Sequence, residues 1–140
     1  MGGLVCALQD ALSKRQSEIH GLLRITTAFM FIQHGTQKMF GFPVEAYSEF
    51  VLLSLVPGFA GVLQVFGGAL LLVGLFTRPV AFVLSGHMAF AYWMVHAYPL
   101  FNTRANGGEA AALYCFILLY FAAAGGGGWS LDNVLRKNSN

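Results

Sequence analysis

Four long apolar stretches, separated by short breaks of glycine, proline and polar residues, dominate the pattern along the chain: about 20–40, 55–76, 79–98 and 108–124. Each approaches the roughly 20 helical residues that a hydrocarbon core requires. Gly41-Phe42-Pro43 closes the first and Pro57-Gly58 opens the second. Thr77-Arg78-Pro79 turns into the third, Pro99 and Asn106-Gly107-Gly108 precede the fourth, and the run Gly125 to Gly128 stops it. A closed β-barrel, the other solution in lipid, needs alternating segments of about 10 residues. Neither Ala69-Leu70-Leu71-Leu72-Val73 nor Phe116-Ile117-Leu118-Leu119-Tyr120 alternates. The pattern predicts an all-α protein, a four-transmembrane-helix bundle over 20–135, with a cytoplasmic segment 1–19 and a cytoplasmic tail 136–140.

Before the first stretch, Leu4, Leu8, Ala11 and Leu12 share one helical stripe, with Gln9, Asp10, Ser13 and Lys14 elsewhere. Two readings stay open: an interfacial amphipathic helix on the inner leaflet, or a frayed, solvated tail. Lys14 and Arg15 follow the early apolar residues instead of preceding them, so a cleaved leader is not expected.

Composition strengthens the membrane reading. Only 10% of residues are charged against about 25% in soluble domains, while 56% are hydrophobic and the mean hydropathy is +0.63. A net charge of +2 without a basic, aromatic-interleaved run excludes a nucleic-acid partner. With the N-terminus inside, six basic residues (Lys14, Arg15, Arg24, Arg78, Arg136, Lys137) fall on the cytoplasmic side and two (Lys38, Arg104) outside. The positive-inside rule therefore predicts both termini in the cytoplasm. Cys6 and Cys115 would lie on different sides of the midplane, too far apart to pair.

Polar groups within the spans need a reason, because each costs about 2.5–3.5 kcal/mol at the bilayer centre. Arg24 and Lys38 are expected to snorkel to opposite interfaces, and Arg78 and Arg104 to anchor the spans there too. In the second span Ala60, Gln64, Gly67 and Gly74 form a packing stripe, with Gln64 available for an interhelical hydrogen bond. His34, His96 and Glu109 all fall near the outer interface and are the candidates for chemistry. Ser85, Tyr92 and His96 share a face of the third span, whereas His87 points to the opposite side, toward lipid or a partner subunit. There is no CxxC, CxxCH, GxGxxG or HExxH pattern and no metal-ligand spacing. The glycine run reads as a flexible exit. His34 with His96 would be the pair to test for haem, but a membrane histidine is more often a packing residue, so haem is disfavoured.

Three segments together resemble the DoxX family. They are Arg24-Ile25 with Phe31-Ile32-Gln33-His34-Gly35-Thr36-Gln37-Lys38-Met39-Phe40-Gly41; Leu63-Gln64-Val65-Phe66-Gly67-Gly68-Ala69 through Gly74-Leu75-Phe76-Thr77-Arg78; and Asn106-Gly107-Gly108-Glu109-Ala110 with Gly125 to Gly128 and Trp129-Ser130-Leu131-Asp132. Many relatives carry a glutamate where this chain has Gln64. The resemblance implies a bacterial inner-membrane protein, multi-pass, of which some members are subunits of thiosulfate:quinone oxidoreductases. The expected role is an accessory or anchoring subunit of a redox-linked membrane complex, with lipid, other membrane subunits or further copies of itself as partners. The alternative is a quinone-handling subunit, with His34, His96 and Glu109 framed by Phe31, Tyr92 and Trp93. A small-solute transporter is disfavoured because no broken mid-membrane helix or internal repeat is present.

Overall fold

Among the described residues helical periodicity is realised in six α-helices: α1 (Gly2–Lys14), α2 (Gln16–Phe40), α3 (Ala60–Val73), α4 (Thr77–Val95), α5 (Glu109–Ala124) and α6 (Leu131–Asn138). A π-helical turn, Leu55–Phe59, leads directly into α3. The computed structural model describes residues 2–45, 51, 54–97 and 102–138, and holds no strand among them. Four helices match the four apolar stretches. The expected end of the third stretch, at Tyr98, lies outside the described residues.

The breaks work through backbone chemistry. Gly74 ends α3 in the left-handed region (φ 70°). Its N–H returns to Leu71 O at 3.1 Å and that of Leu75 to Leu70 O at 3.0 Å, the double closure that satisfies the last carbonyls of a helix. Pro79 stands in the first turn of α4, where a missing N–H costs nothing. Ser54 stabilises the π-helical turn: its Oγ accepts from the Gly58 N–H at 3.1 Å and donates to Val51 O at 2.6 Å.

The core draws on all four long elements: Ala28 and Phe31 of α2, Leu71 of α3, Ala81, Leu84 and Met88 of α4, and Ala111, Tyr114, Leu118 and Phe121 of α5. Helix α2 packs most closely on α3, and α4 on α5. Small residues set the first spacing. A methyl group on Gly35 would meet Val65 Cγ2 at 2.7 Å and Gln64 Cβ at 3.0 Å, and one on Gly61 would meet Met39 Cγ at 2.9 Å. The expected stripe of Ala60, Gln64 and Gly67 is buried here. Gly74, its fourth member, is instead the helix terminator.

No helix among the described residues is long and apolar enough to cross a membrane. Helices α3 and α5 have 14 and 16 residues, short of the ~20 of a full span. The longer α2 and α4 are interrupted by Arg24, Lys38 and Arg78 and by polar residues such as His34 and His87. Residues 2–14 form a helix, and none of its residues is buried.

Candidate functional site

Close approach of α2 and α3 at Gly35 and Gly61 places Lys38, in the last turn of α2, beside Gln64 in the second turn of α3. The Lys38 ammonium donates to Gln64 Oε1 at 2.8 Å and to the His34 carbonyl at 3.2 Å. An ammonium can only donate, so the Gln64 amide must turn its oxygen to Lys38 and its NH2 the other way. On that other side stands His87 of α4, its Nε2 3.4 Å from Gln64 Nε2. With the amide donating, His87 Nε2 carries the lone pair and the ring proton sits on Nδ1. Gln64 is buried, while Lys38 and His87 are half-buried. The result is a connected polar row through three helices.

This row corrects two expectations. Lys38 is held inside the helix contact instead of reaching only for the interface, and His87 turns toward α3, not toward a partner. The reason is that α4 is packed on two sides: Ser85 Oγ donates to Cys115 O of α5 at 2.8 Å, and the face away from Ser85, which carries His87, meets Gln64 of α3.

His34, His96 and Glu109 do not converge. His34 is exposed and sets its ring edge-on to Tyr114 of α5, at 5.8 Å and 86°. His96 donates from Nδ1 to Asn106 O at 2.7 Å, and Asn106 Nδ2 donates back to the His96 carbonyl and to Tyr92 Oη at 3.3 Å. His96 and Tyr92 thus fold the connection between α4 and α5. Glu109 is exposed in the first turn of α5. Of the expected frame, Phe31 is fully buried against Tyr114 at 5.3 Å, whereas Trp93 is exposed and meets only the edge of Tyr92 at 6.3 Å among the described aromatic rings. The Tyr114 hydroxyl is buried and has no hydrogen-bond partner among the described residues.

The opposite end of the bundle holds a second polar assembly, and here Arg24 departs from the expected snorkelling. Its side chain is fully buried. Nε donates to Gly126 O at 2.8 Å, Nη1 to the Leu71 and Leu72 carbonyls, and Nη2 to Trp129 O at 3.0 Å. A planar fork of five N–H donors suits such a ring of acceptors. His20 adds Nε2–H to Gly125 O at 2.8 Å, which leaves Nδ1 to accept from the Tyr120 hydroxyl at 3.0 Å. The Gly128 N–H donates to Ser17 O at 2.8 Å, and a methyl group on Gly21 would strike the Gly128 carbonyl. The glycine run is therefore a fixed strap, not a flexible exit. Arg78, exposed, donates to the last carbonyls of α5 at Ala122, Ala123 and Ala124, and Arg104 is exposed in the loop before α5.

Asp132, at the start of α6, completes this end. Its two carboxylate oxygens accept from the N–H groups of Phe76 and Thr77, each at 2.8 Å, and so cap α4 from a distant part of the chain. Burial pushes its carboxyl up, but hydrogen bonding from Thr77 and Phe76 and the charge of Arg24 outweigh that and hold it below the ordinary value of 3.8.

The DoxX family profile matches residues 20–97, which include the whole Lys38, Gln64 and His87 row. The chain belongs to the DoxX family. It is 43% identical over 135 residues to an uncharacterized protein of Haemophilus influenzae, a match covering 90% of this chain and 97% of the relative. No solved structure matches it. Among the described residues of this DoxX chain, no group of three or more His, Cys, Asp or Glu side chains is placed to hold a metal.

Proposed function

We propose that this chain is a multi-pass protein of the bacterial inner membrane, with four helices and both termini cytoplasmic, serving as an accessory or anchoring subunit of a larger, redox-linked membrane complex. The observation that carries this reading is the inverted distribution of polarity. The largest fully buried side chain is Arg24, with Gln64, Thr77 and Ser130 also inside, while Phe66, Phe82, Trp93 and Phe116 stand 60–70% exposed. In water this arrangement forfeits hydrophobic burial. In lipid it is the expected one, polar groups turning inward. The exposed apolar stripe of α1 then lies on the inner leaflet.

A subunit role is favoured because His20, Arg24, Arg78, Lys38 and His96 are engaged with backbone carbonyls of the chain itself, a structural use of these groups. Purification in mild detergent is expected to recover the chain with a stoichiometric membrane partner; a solitary monomer would overturn the subunit role. Alkaline phosphatase fused to the C-terminus is expected to be inactive, and activity would reverse the topology.

One observation favours quinone contact as a second reading. The unpaired, buried Tyr114 hydroxyl is a donor that a quinone carbonyl would satisfy, with His34 and Phe31 against the same ring. Tyr114→Phe is then expected to weaken binding of a ubiquinone analogue about tenfold, with unchanged affinity counting against it.

A further inference from the structure

Where α4 starts and α5 stops, a cavity of about 450 Å³ opens between Arg78, the backbone of Gly125 to Gly127, and Asn133 and Arg136 of α6. Arg136 takes no part in the Arg24 clamp. It is exposed, and its one hydrogen bond among the described residues is a long one, 3.4 Å to Asn133 Oδ1. Arg78 uses one edge of its guanidinium on the α5 carbonyls and is otherwise exposed. The acid in the lining, Asp132, already has both oxygens bonded by backbone N–H groups and faces the charge of Arg24. Two arginines thus leave the cavity cationic.

Its rim is apolar. Trp129 is 66% exposed on a left-handed backbone (φ 57°), a conformation that bulky residues avoid. The bond from Arg24 Nη2 to the Trp129 carbonyl holds it there, so the buried clamp keeps an indole turned outward. Tryptophan beside arginine is the pairing found at the level of lipid headgroups.

We propose that this cavity binds the phosphate of an anionic phospholipid of the inner leaflet, paired with Arg78 and Arg136, while Phe76 and Pro79 of its wall lie among the glycerol and first acyl carbons. A free phosphate ion would fit the same two arginines but would leave the apolar rim unused, which is why a lipid is the better occupant. The proposal rests on the membrane reading above.

The test reconstitutes the full chain in nanodiscs of phosphatidylcholine with equal phosphatidylglycerol and counts the lipids retained by native mass spectrometry. Phosphatidylglycerol is expected to be retained over phosphatidylcholine, and Arg136→Gln to lower that preference about fivefold. Phe76→Gly, which suits the left-handed backbone there, is expected to lower retention without lowering the unfolding temperature. Equal retention of the two lipids, or an Arg136→Gln variant like wild type, would overturn the proposal. Displacement of the lipid by millimolar inorganic phosphate would also overturn it, assigning the cavity to a free anion. A chain that fails to enter the nanodisc, or washes off membranes in carbonate, would bring down the membrane reading itself.

Discussion

Arg24 shows how much one side chain organises. Its guanidinium joins the end of α3 to the strap before α6 through four carbonyls, so removing it strands the acceptors of Leu72, Gly126 and Trp129, while Leu71 O keeps the Gly74 N–H. Arg24→Met is expected to destabilise the fold by about 3–5 kcal/mol, and Arg24→Lys by most of that, since an ammonium cannot reproduce the fork. Thermal unfolding in detergent measures both. Asp132 gives a pH dependence whose sign is fixed by its lowered pKa. Its stabilisation is fully present above the unfolded value of 3.8 and is lost as pH falls through the lower folded value. The unfolding midpoint should therefore drop below about pH 4, and Asp132→Asn should flatten that drop while lowering stability at pH 7. The sequence displays both residues plainly, but not these roles. Arg24 and Trp129 are 105 positions apart, and no local pattern says that they meet.

At the scale of elements, the apolar stretches and their glycine and proline breaks translated into α2 to α5 with ends shifted by a few residues, because length and punctuation are local properties. What failed were inferences needing the rotation of one helix against another. The inward face of Ser85, Tyr92 and His96 implies an outward His87 only if α4 packs on one side, and it packs on both α5 and α3. The candidate trio of His34, His96 and Glu109 rested on shared depth alone, whereas Lys38, Gln64 and His87 meet because Gly35 and Gly61 let α2 and α3 touch. The glycine run reads as a flexible exit and α6 is not anticipated as a helix, since four glycines carry no side-chain pattern. Gly35→Ala tests the glycine contact. The added methyl has backbone N of Val65 at 2.9 Å as well as side chains to displace, so a loss of about 1–3 kcal/mol is expected. The separation should also break the bond from Lys38 to Gln64, seen as faster labelling of Lys38 by an amine reagent. Wild-type labelling would mean that the helices absorb the methyl without parting.

For the molecule as a whole, the outward-facing aromatic residues decide between two environments that helix length alone leaves open. Phe82, one turn past Arg78 in α4, and Phe116, in the middle of α5, are 65% and 70% exposed. If water surrounds them, replacing both by aspartate removes exposed apolar surface, changes stability by no more than about 0.5 kcal/mol at each site and raises solubility. If lipid surrounds them, an aspartate costs about 2.5–3.5 kcal/mol at the bilayer centre, the level of the middle of α5, and less toward the interface, the level of Phe82. The membrane reading therefore predicts that the Phe82→Asp, Phe116→Asp double variant loses most of its membrane-inserted population, while the single variants lose less. Carbonate extraction followed by quantification of the membrane pellet separates the two cases. A double variant that stays folded in the supernatant and aggregates less than wild type would place these faces in water. The same substitutions leave Arg24, Asp132 and the Lys38 row untouched, so the outcome reports on what surrounds the bundle and not on what holds it together.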